Sequence, residues 1–165
     1  PQQGEQTPGG PQSAGSAGPS SDKTSHTWDT KKAADGIYMI KVVASDKTSN
    51  PVDYQTAEAV SESFIVCNTP PKLTVYTGGS RLVVSGSAKI SGSAASSLVG
   101  IVGVQYRING GAWQAAVPED GMFDSTYEVF EITTESLAAG DYKVEVQAID
   151  AAGNASSNTV NIKVN

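Results

Sequence analysis

The chain has 165 residues, of which 38% are hydrophobic and only 17% charged, and its formal net charge is −6. This length suits one domain, or a complete small domain with part of another. The acidic balance argues against nucleic acid or an anionic membrane as a partner, and because no long apolar run occurs we expect no membrane insertion.

The first segment, residues 1–24, consists mostly of Pro, Gly, Ser and Gln. Such a composition buries too little apolar surface to offset the entropy lost on ordering the backbone. We therefore predict a disordered tail or linker over 1–24.

Two later segments, 37–45 and 142–149, alternate in hydrophobicity with a period of two, which predicts half-buried strands. They align without a gap, together with the turns on either side of them. A repeat of about 100 residues has the size of one β-sandwich domain. The aligned pairs include Gly36 with Gly140, Tyr38 with Tyr142, Val42 with Val146, Ala44 with Ala148, Asp46 with Asp150 and Asn50 with Asn154.

The second copy carries a full set of strand signals, separated by turns rich in Gly, Pro, Asp and Ser. No helical periodicity of useful length accompanies them. The sequence therefore predicts an all-β fold, a Greek-key sandwich of two sheets. We expect strands near 73–76, 82–90, 102–108, 113–117, 129–133, 142–149 and 160–164.

The first copy has signals only for its last strands, near 25–28, 37–45 and 63–67. Three strands alone leave an apolar face and an unpaired edge exposed. Either the chain was cut from a longer one, or a partner chain supplies the missing strands, or the partial copy leans on the complete one. We expect a tail at 1–24, the C-terminal strands of a partial repeat at 25–69 and a complete sandwich at 70–165.

Short motifs in the repeat resemble those of bacterial immunoglobulin-like and fibronectin type III-like modules, which occur in tandem in extracellular proteins. The resemblance covers 25–165 and rests on the motifs at 137–142, 150–154, 68–71 and 106–113. It implies an immunoglobulin-like sandwich in which Tyr142, and Tyr38 in the first copy, form a tyrosine corner. Gly36 and Gly140 share this structural role.

Catalytic residue types are scarce. His26 is the single imidazole and lies beside the tail, and Cys67 ends an apolar strand. A serine hydrolase needs a base beside its nucleophile, and no nucleophile-elbow motif is present. We predict no catalytic residue and no enzymatic activity.

Acidic residues cluster in the loop around 118–125 and recur after a strand of the repeat. Glu119, Asp120, Asp124 and Asp150 carry the oxygen atoms that calcium prefers, although the EF-hand spacing is absent. A solvated loop and an ordinary Asx turn explain the same residues. We expect no cofactor other than calcium, for which these four side chains are the candidate ligands.

Aromatic side chains outside the obvious core positions are the remaining candidates for a binding surface. Trp113, Tyr76 and Tyr127 could present flat rings to a sugar, and packing in the core is the alternative for Trp113.

Taken together, these features favour a non-catalytic module of a larger secreted or surface protein, used for spacing, positioning or protein contact. Its expected location is extracellular, at the cell surface or in the periplasm. Two alternatives stay open: a carbohydrate-binding accessory domain, and the sensor ectodomain of a bacterial signalling protein. The partner, whether protein or glycan, is unknown at this point.

Overall fold

A computed structural model describes residues 25–77 and 81–165. The tail predicted for 1–24 lies outside the described residues. The chain divides into two compact units, with the division between Val66 and Cys67. In the described part no helix has the length and apolar character needed to cross a membrane.

The first unit contains a short 3-10 turn and two ribbons. The turn, Thr30–Lys32, follows Asp29, whose side chain accepts a hydrogen bond from the Lys31 amide. The strands are β1 (Gly36–Tyr38), β2 (Lys41–Ser45), β3 (Thr56–Val60) and β4 (Phe64–Val66). β1 pairs with β4 and β2 with β3, both antiparallel, so the strand expected at 37–45 is wrong as one element.

An aromatic cluster orders the first unit. Trp28 meets the rings of Tyr38 and Phe64 edge-on, at centroid distances of 5.2 and 6.0 Å. The Tyr38 hydroxyl donates to the carbonyl of Ala34 over 2.7 Å. The strand expected at 25–28 is wrong, since these residues are irregular and Trp28 packs from a loop.

The second unit is a two-layer β-sandwich. One sheet has four strands in the order β10-β11-β7-β5 and the other has five in the order β6-β13-β12-β8-β9. The strands are β5 (Lys72–Tyr76), β6 (Leu82–Val84), β7 (Lys89–Ala95), β8 (Ile101–Ile108), β9 (Gln114–Ala115), β10 (Val117–Pro118), β11 (Tyr127–Thr133), β12 (Gly140–Asp150) and β13 (Ala155–Val164).

This strand order is that of an immunoglobulin-like Greek-key sandwich, so the predicted fold class is confirmed. Alternate side chains of the central strands point inward and form one core, as the period of two requires. Burial of these side chains supplies most of the stabilisation of the unit. The least exposed members are Ala88, Ile90, Ala94, Ile101, Phe130, Ile132, Val144, Val146, Ala148 and Ile162.

Two predicted strands are divided between the sheets. The strand expected at 82–90 is wrong as one element: β6 pairs in parallel with the end of β13, and β7 lies in the opposite sheet. Gly86, at φ 79°, lies between them, in a backbone region that favours glycine. The strand expected at 113–117 divides in the same way, with β9 on one sheet and β10 on the other.

Candidate functional site

The turn after β12 binds the segment that enters the sandwich. Asp150 is 1% exposed, and its Oδ1 accepts hydrogen bonds from the amides of Ala152 and Asn154 at 3.0 and 2.9 Å. The Asn154 side-chain Nδ2 donates to Asp150 Oδ2 and to the carbonyl oxygen of Cys67, both at 3.0 Å. These bonds attach Cys67, the first residue of the second unit, to the turn after β12. We call Cys67, Asp150 and Asn154 the linker clamp.

The same pair of residue types recurs in the first unit. Asn50 Nδ2 donates to Asp46 Oδ2 over 2.6 Å, and the amide of Gln55 donates to Asp46 Oδ1 over 2.5 Å. The bond from Asn50, and after it the bond from Gln55, lowers the pKa of Asp46. The internal repeat therefore extends from the strand to the hydrogen bonding of the turn.

Cys67 is buried, with its thiol 4.0 Å from Asp150 Oδ2 and 3.9 Å from the carbonyl oxygen of Thr69. Reactive cysteines lie in exposed, electropositive surroundings, whereas this thiol faces a carboxylate. Its place in the linker clamp is structural.

The acidic side chains of the loop at 118–125 form hydrogen bonds within the loop itself. Asp120 Oδ1 accepts from the Met122 amide at 3.3 Å, and Asp124 Oδ1 accepts from the Ser125 hydroxyl at 3.0 Å. In the part of the chain that the structure describes, no group of three or more His, Cys, Asp or Glu side chains is placed to hold a metal ion. Glu119, Asp120, Asp124 and Asp150 are not brought together as a calcium site.

Glu128 is an acidic residue that sequence reasoning missed. It is 3% exposed, and its Oε1 accepts from the amides of Asp124 and Ser125 at 3.0 and 2.7 Å. These bonds close the loop before β11, as a buried carboxylate requires. In the sequence, Glu128 lies in a strand in which polar and apolar residues alternate. Nothing in that pattern indicates that its side chain points inward.

The three candidate aromatic residues do not form one surface. Tyr76 and Tyr127 lie on the outer face of the four-stranded sheet, at opposite ends of it. Their separation along the strands is four residues, or about 13 Å. Trp113 follows β8 at the edge of the other sheet, where it is 37% exposed and does not belong to the core.

Trp113 instead belongs to a polar arrangement on the outer face of the five-stranded sheet. The Arg107 guanidinium lies 4.5 Å from the centroid of its ring, a cation–π contact. Arg107 Nε also donates to Glu145 Oε2 over 2.5 Å, and this bond lowers the pKa of Glu145. One face of the indole is thus taken up by a neighbouring side chain.

The tyrosine corner has the same geometry in both units. The Tyr142 hydroxyl donates to the Ala138 carbonyl over 3.0 Å, four residues upstream, as Tyr38 does to Ala34. Gly36 and Gly140 begin the strands that carry these tyrosines. Near this end of the second unit a shallow cavity of about 490 Å³ is lined by Arg81, Asn109, Asp141, Tyr142, Lys143, Asn161 and Ile162.

The chain was also compared with known proteins. No protein-family model matches it, and the search of curated proteins gives no match. Among solved structures, the fibronectin(III)-like modules of Clostridium thermocellum CbhA are 22% identical with a TM-score of 0.46, covering 80% of this chain and 64% of that one. The sulfane dehydrogenase SoxCD of Paracoccus pantotrophus is 19% identical with a TM-score of 0.45, covering 56% of this chain and 24% of that one. The chain thus spans about a quarter of the dehydrogenase chain and just under two thirds of the module set.

Proposed function

We propose that this chain is a non-catalytic β-sandwich module of a larger secreted or surface protein, whose work is to space and position the segments joined to it. The linker clamp carries the proposal. A spacer needs a stiff junction where the chain enters the sandwich, and Asn154 supplies one by bonding the backbone of Cys67. The recurrence of the Asp–Asn turn in both copies supports a serial arrangement of such modules.

The character of the surface also supports an extracellular location. The chain as a whole is rich in Ser and Thr, has only 17% charged residues and is acidic overall. Catalysis has little support among the described residues, since His26 is exposed and the Cys67 thiol is buried against a carboxylate.

The linker clamp predicts a rigid backbone at the start of the second unit. In the native protein, the ¹⁵N order parameter of the Asn68 amide should equal that of a strand, about 0.85. Asn154→Ala removes the bond to the Cys67 carbonyl, so this value should fall toward about 0.6 while the core strands stay unchanged. NMR relaxation of the full chain measures both.

Asn158→Ala is the matched control, because Asn158 is exposed on β13, the strand that follows Asn154, and its side chain bonds only the neighbouring Thr159 amide among the described contacts. It should leave Asn68 rigid. An Asn68 amide that is already mobile in the native protein, or that is unaffected by Asn154→Ala, would argue against a clamped linker and against the positioning role.

A further inference from the structure

The cavity near the tyrosine corner of the second unit is lined by residues from the ends of four neighbouring strands. Lys143 on β12 lies opposite Asn161 on β13. Arg81 directly precedes β6, which pairs in parallel with β13 from Ile162 onward, so Arg81 lies beside Asn161. On the other side of β12, the Asn109 amide after β8 donates to the Lys143 carbonyl over 2.8 Å. We call Arg81, Asn161, Lys143 and Asn109 the polar row.

The polar row offers mainly hydrogen-bond donors, and its four residues are all exposed. The Arg81 guanidinium bonds Asp141, which holds its other N–H groups at the cavity. Asn109 Oδ1 accepts from the Lys143 amide over 2.8 Å, so its NH₂ group is the part left for a ligand. Lys143 and Asn161 add an ammonium and an amide group. Because Asp141 is the single carboxylate among the described lining residues, the cavity suits a ligand rich in acceptor oxygens.

The local charge at the polar row is opposite to that of the whole chain, which is −6. The Asp141 carboxylate is paired with Arg81, lies opposite Lys163 in the register and comes two residues before Lys143. The next carboxylate, Glu145, lies 4.0 Å from Lys143 Nζ and is already bonded by a neighbouring guanidinium. Cations therefore exceed carboxylates at this place. A positive corner on an acidic protein attracts an anionic ligand to one defined position.

We propose that the polar row binds an oligosaccharide that carries carboxylate groups, with carboxylates at Arg81 and Lys143 and hydroxyls at the two asparagines. The two cations are two strand spacings apart, or about 10 Å, and the neutral amide of Asn161 lies between them. This alternation matches a ligand in which hydroxyls separate the carboxylates. A peptide finds no free backbone edge here, because β12 and β13 both lie inside the five-stranded sheet. The inference goes beyond the spacing function and does not depend on the linker clamp.

The experiment titrates the ¹⁵N-labelled full chain with two probes, a hexasaccharide of galacturonic acid and a hexasaccharide of hyaluronan, and maps the amide shifts by NMR. We expect saturable shifts at Asn109, Asn161 and 141–143, with a Kd below about 1 mM for at least one probe. Full methyl esterification keeps the hydroxyls and removes the charge, so it should weaken binding at least about 10-fold. Raising the ionic strength from about 0.01 M to about 0.15 M should weaken binding at least about threefold, because screening shortens the range of the attraction.

Two matched pairs of protein variants test the polar row. Lys143→Gln removes a cation from the cavity and should weaken binding at least about threefold, whereas Lys72→Gln, at an exposed lysine of the other sheet, should leave it unchanged. Asn161→Ala removes a neutral donor and should weaken binding about threefold. Asn158→Ala, at an exposed asparagine of the same strand outside the cavity, should leave binding unchanged. All four positions are exposed, so the variants should fold.

Four results would overturn the proposal. The first is the absence of saturable shifts with both hexasaccharides at about 10 mM, a concentration well above the expected Kd. The second is equal binding of the methyl ester, since the carboxylates would then contribute nothing. The third is binding of hexaglutamate as tight as that of the better hexasaccharide, which would make the site one for acidic peptides. The fourth is a set of shifts outside the polar row that Lys143→Gln does not change.

Discussion

Replacing Gly92 by alanine is expected to destabilise the second unit by about 3 kcal/mol or more. Gly92 lies in the middle of β7, and a Cβ there would come within 2.4 Å of both the Phe130 Cζ atom and the Thr74 carbonyl oxygen. The first is a fully buried ring and the second is backbone of the paired strand, so neither can move aside cheaply. Urea unfolding followed by circular dichroism measures the loss.

Gly103→Ala is the control, since Gly103 lies in β8 and a Cβ there meets nothing within 4 Å. Its effect should stay within about 0.5 kcal/mol, as for most open surface positions. Adding Phe130→Leu to Gly92→Ala should restore only part of the stability, because the contact with the Thr74 carbonyl remains. Full recovery would contradict the close approach of β5 to β7.

Asp150→Ala is expected to cost about 3 kcal/mol of unfolding free energy, because three N–H groups of the turn lose their acceptor. Asp150→Asn keeps one acceptor oxygen and should fall between the native protein and Asp150→Ala. Chemical denaturation measures both. Asp124→Ala, at an exposed aspartate whose side chain bonds only Ser125 among the described contacts, should change stability by less than about 0.5 kcal/mol.

Equal losses for Asp150→Ala and Asp124→Ala would mean that the linker clamp contributes nothing to stability. The analogous change in the first copy, Asp46→Ala, should act on the first unit alone. Its effect should be the smaller one, because Asp46 is only half-buried.

The strands of the second unit could be predicted from the sequence, because polar and apolar residues alternate regularly along them. Strand β12 is an example: its inward Val144, Val146 and Ala148 alternate with polar residues. The turn after β8 also follows from local chemistry, since Asn-Gly favours a primed turn and both Asn109 and Gly110 adopt the positive φ that this turn needs. In both cases local chemistry decides the structure.

Sheet membership could not be read in the same way. A period of two says that alternate residues share a face, but not which sheet a strand joins, so 82–90 was expected as one strand where β6 and β7 belong to different layers. The strand expected at 25–28 failed for a related reason. Its counterpart β11 pairs with β7 and β10, and the described part of the first unit has no equivalent of either.

Only part of the candidate site could be predicted from the sequence. The recurrence of Asp150 and Asn154 marked the turn, but the bond from Asn154 to Cys67 joins residues far apart in the chain and depends on the folded sandwich. That Trp113 lies beside one sheet, and Tyr76 and Tyr127 on the other, could not be predicted either, because residue type does not reveal which sheet carries a ring. Arg107, which covers one side of Trp113, gave no signal beyond its charge.

The central claim is that the second copy of the repeat is a closed sandwich, whereas strand β2 of the first copy is exposed within the part of the chain that the structure describes. Native-state hydrogen exchange of the full chain tests it in one measurement. Amides of Gly140–Asp150 should exchange only through global unfolding of the second unit, and those of Lys41–Ser45 at least about 100-fold faster through local opening. Equal protection of the two strands would contradict the claim, because it would mean that β2 is already covered.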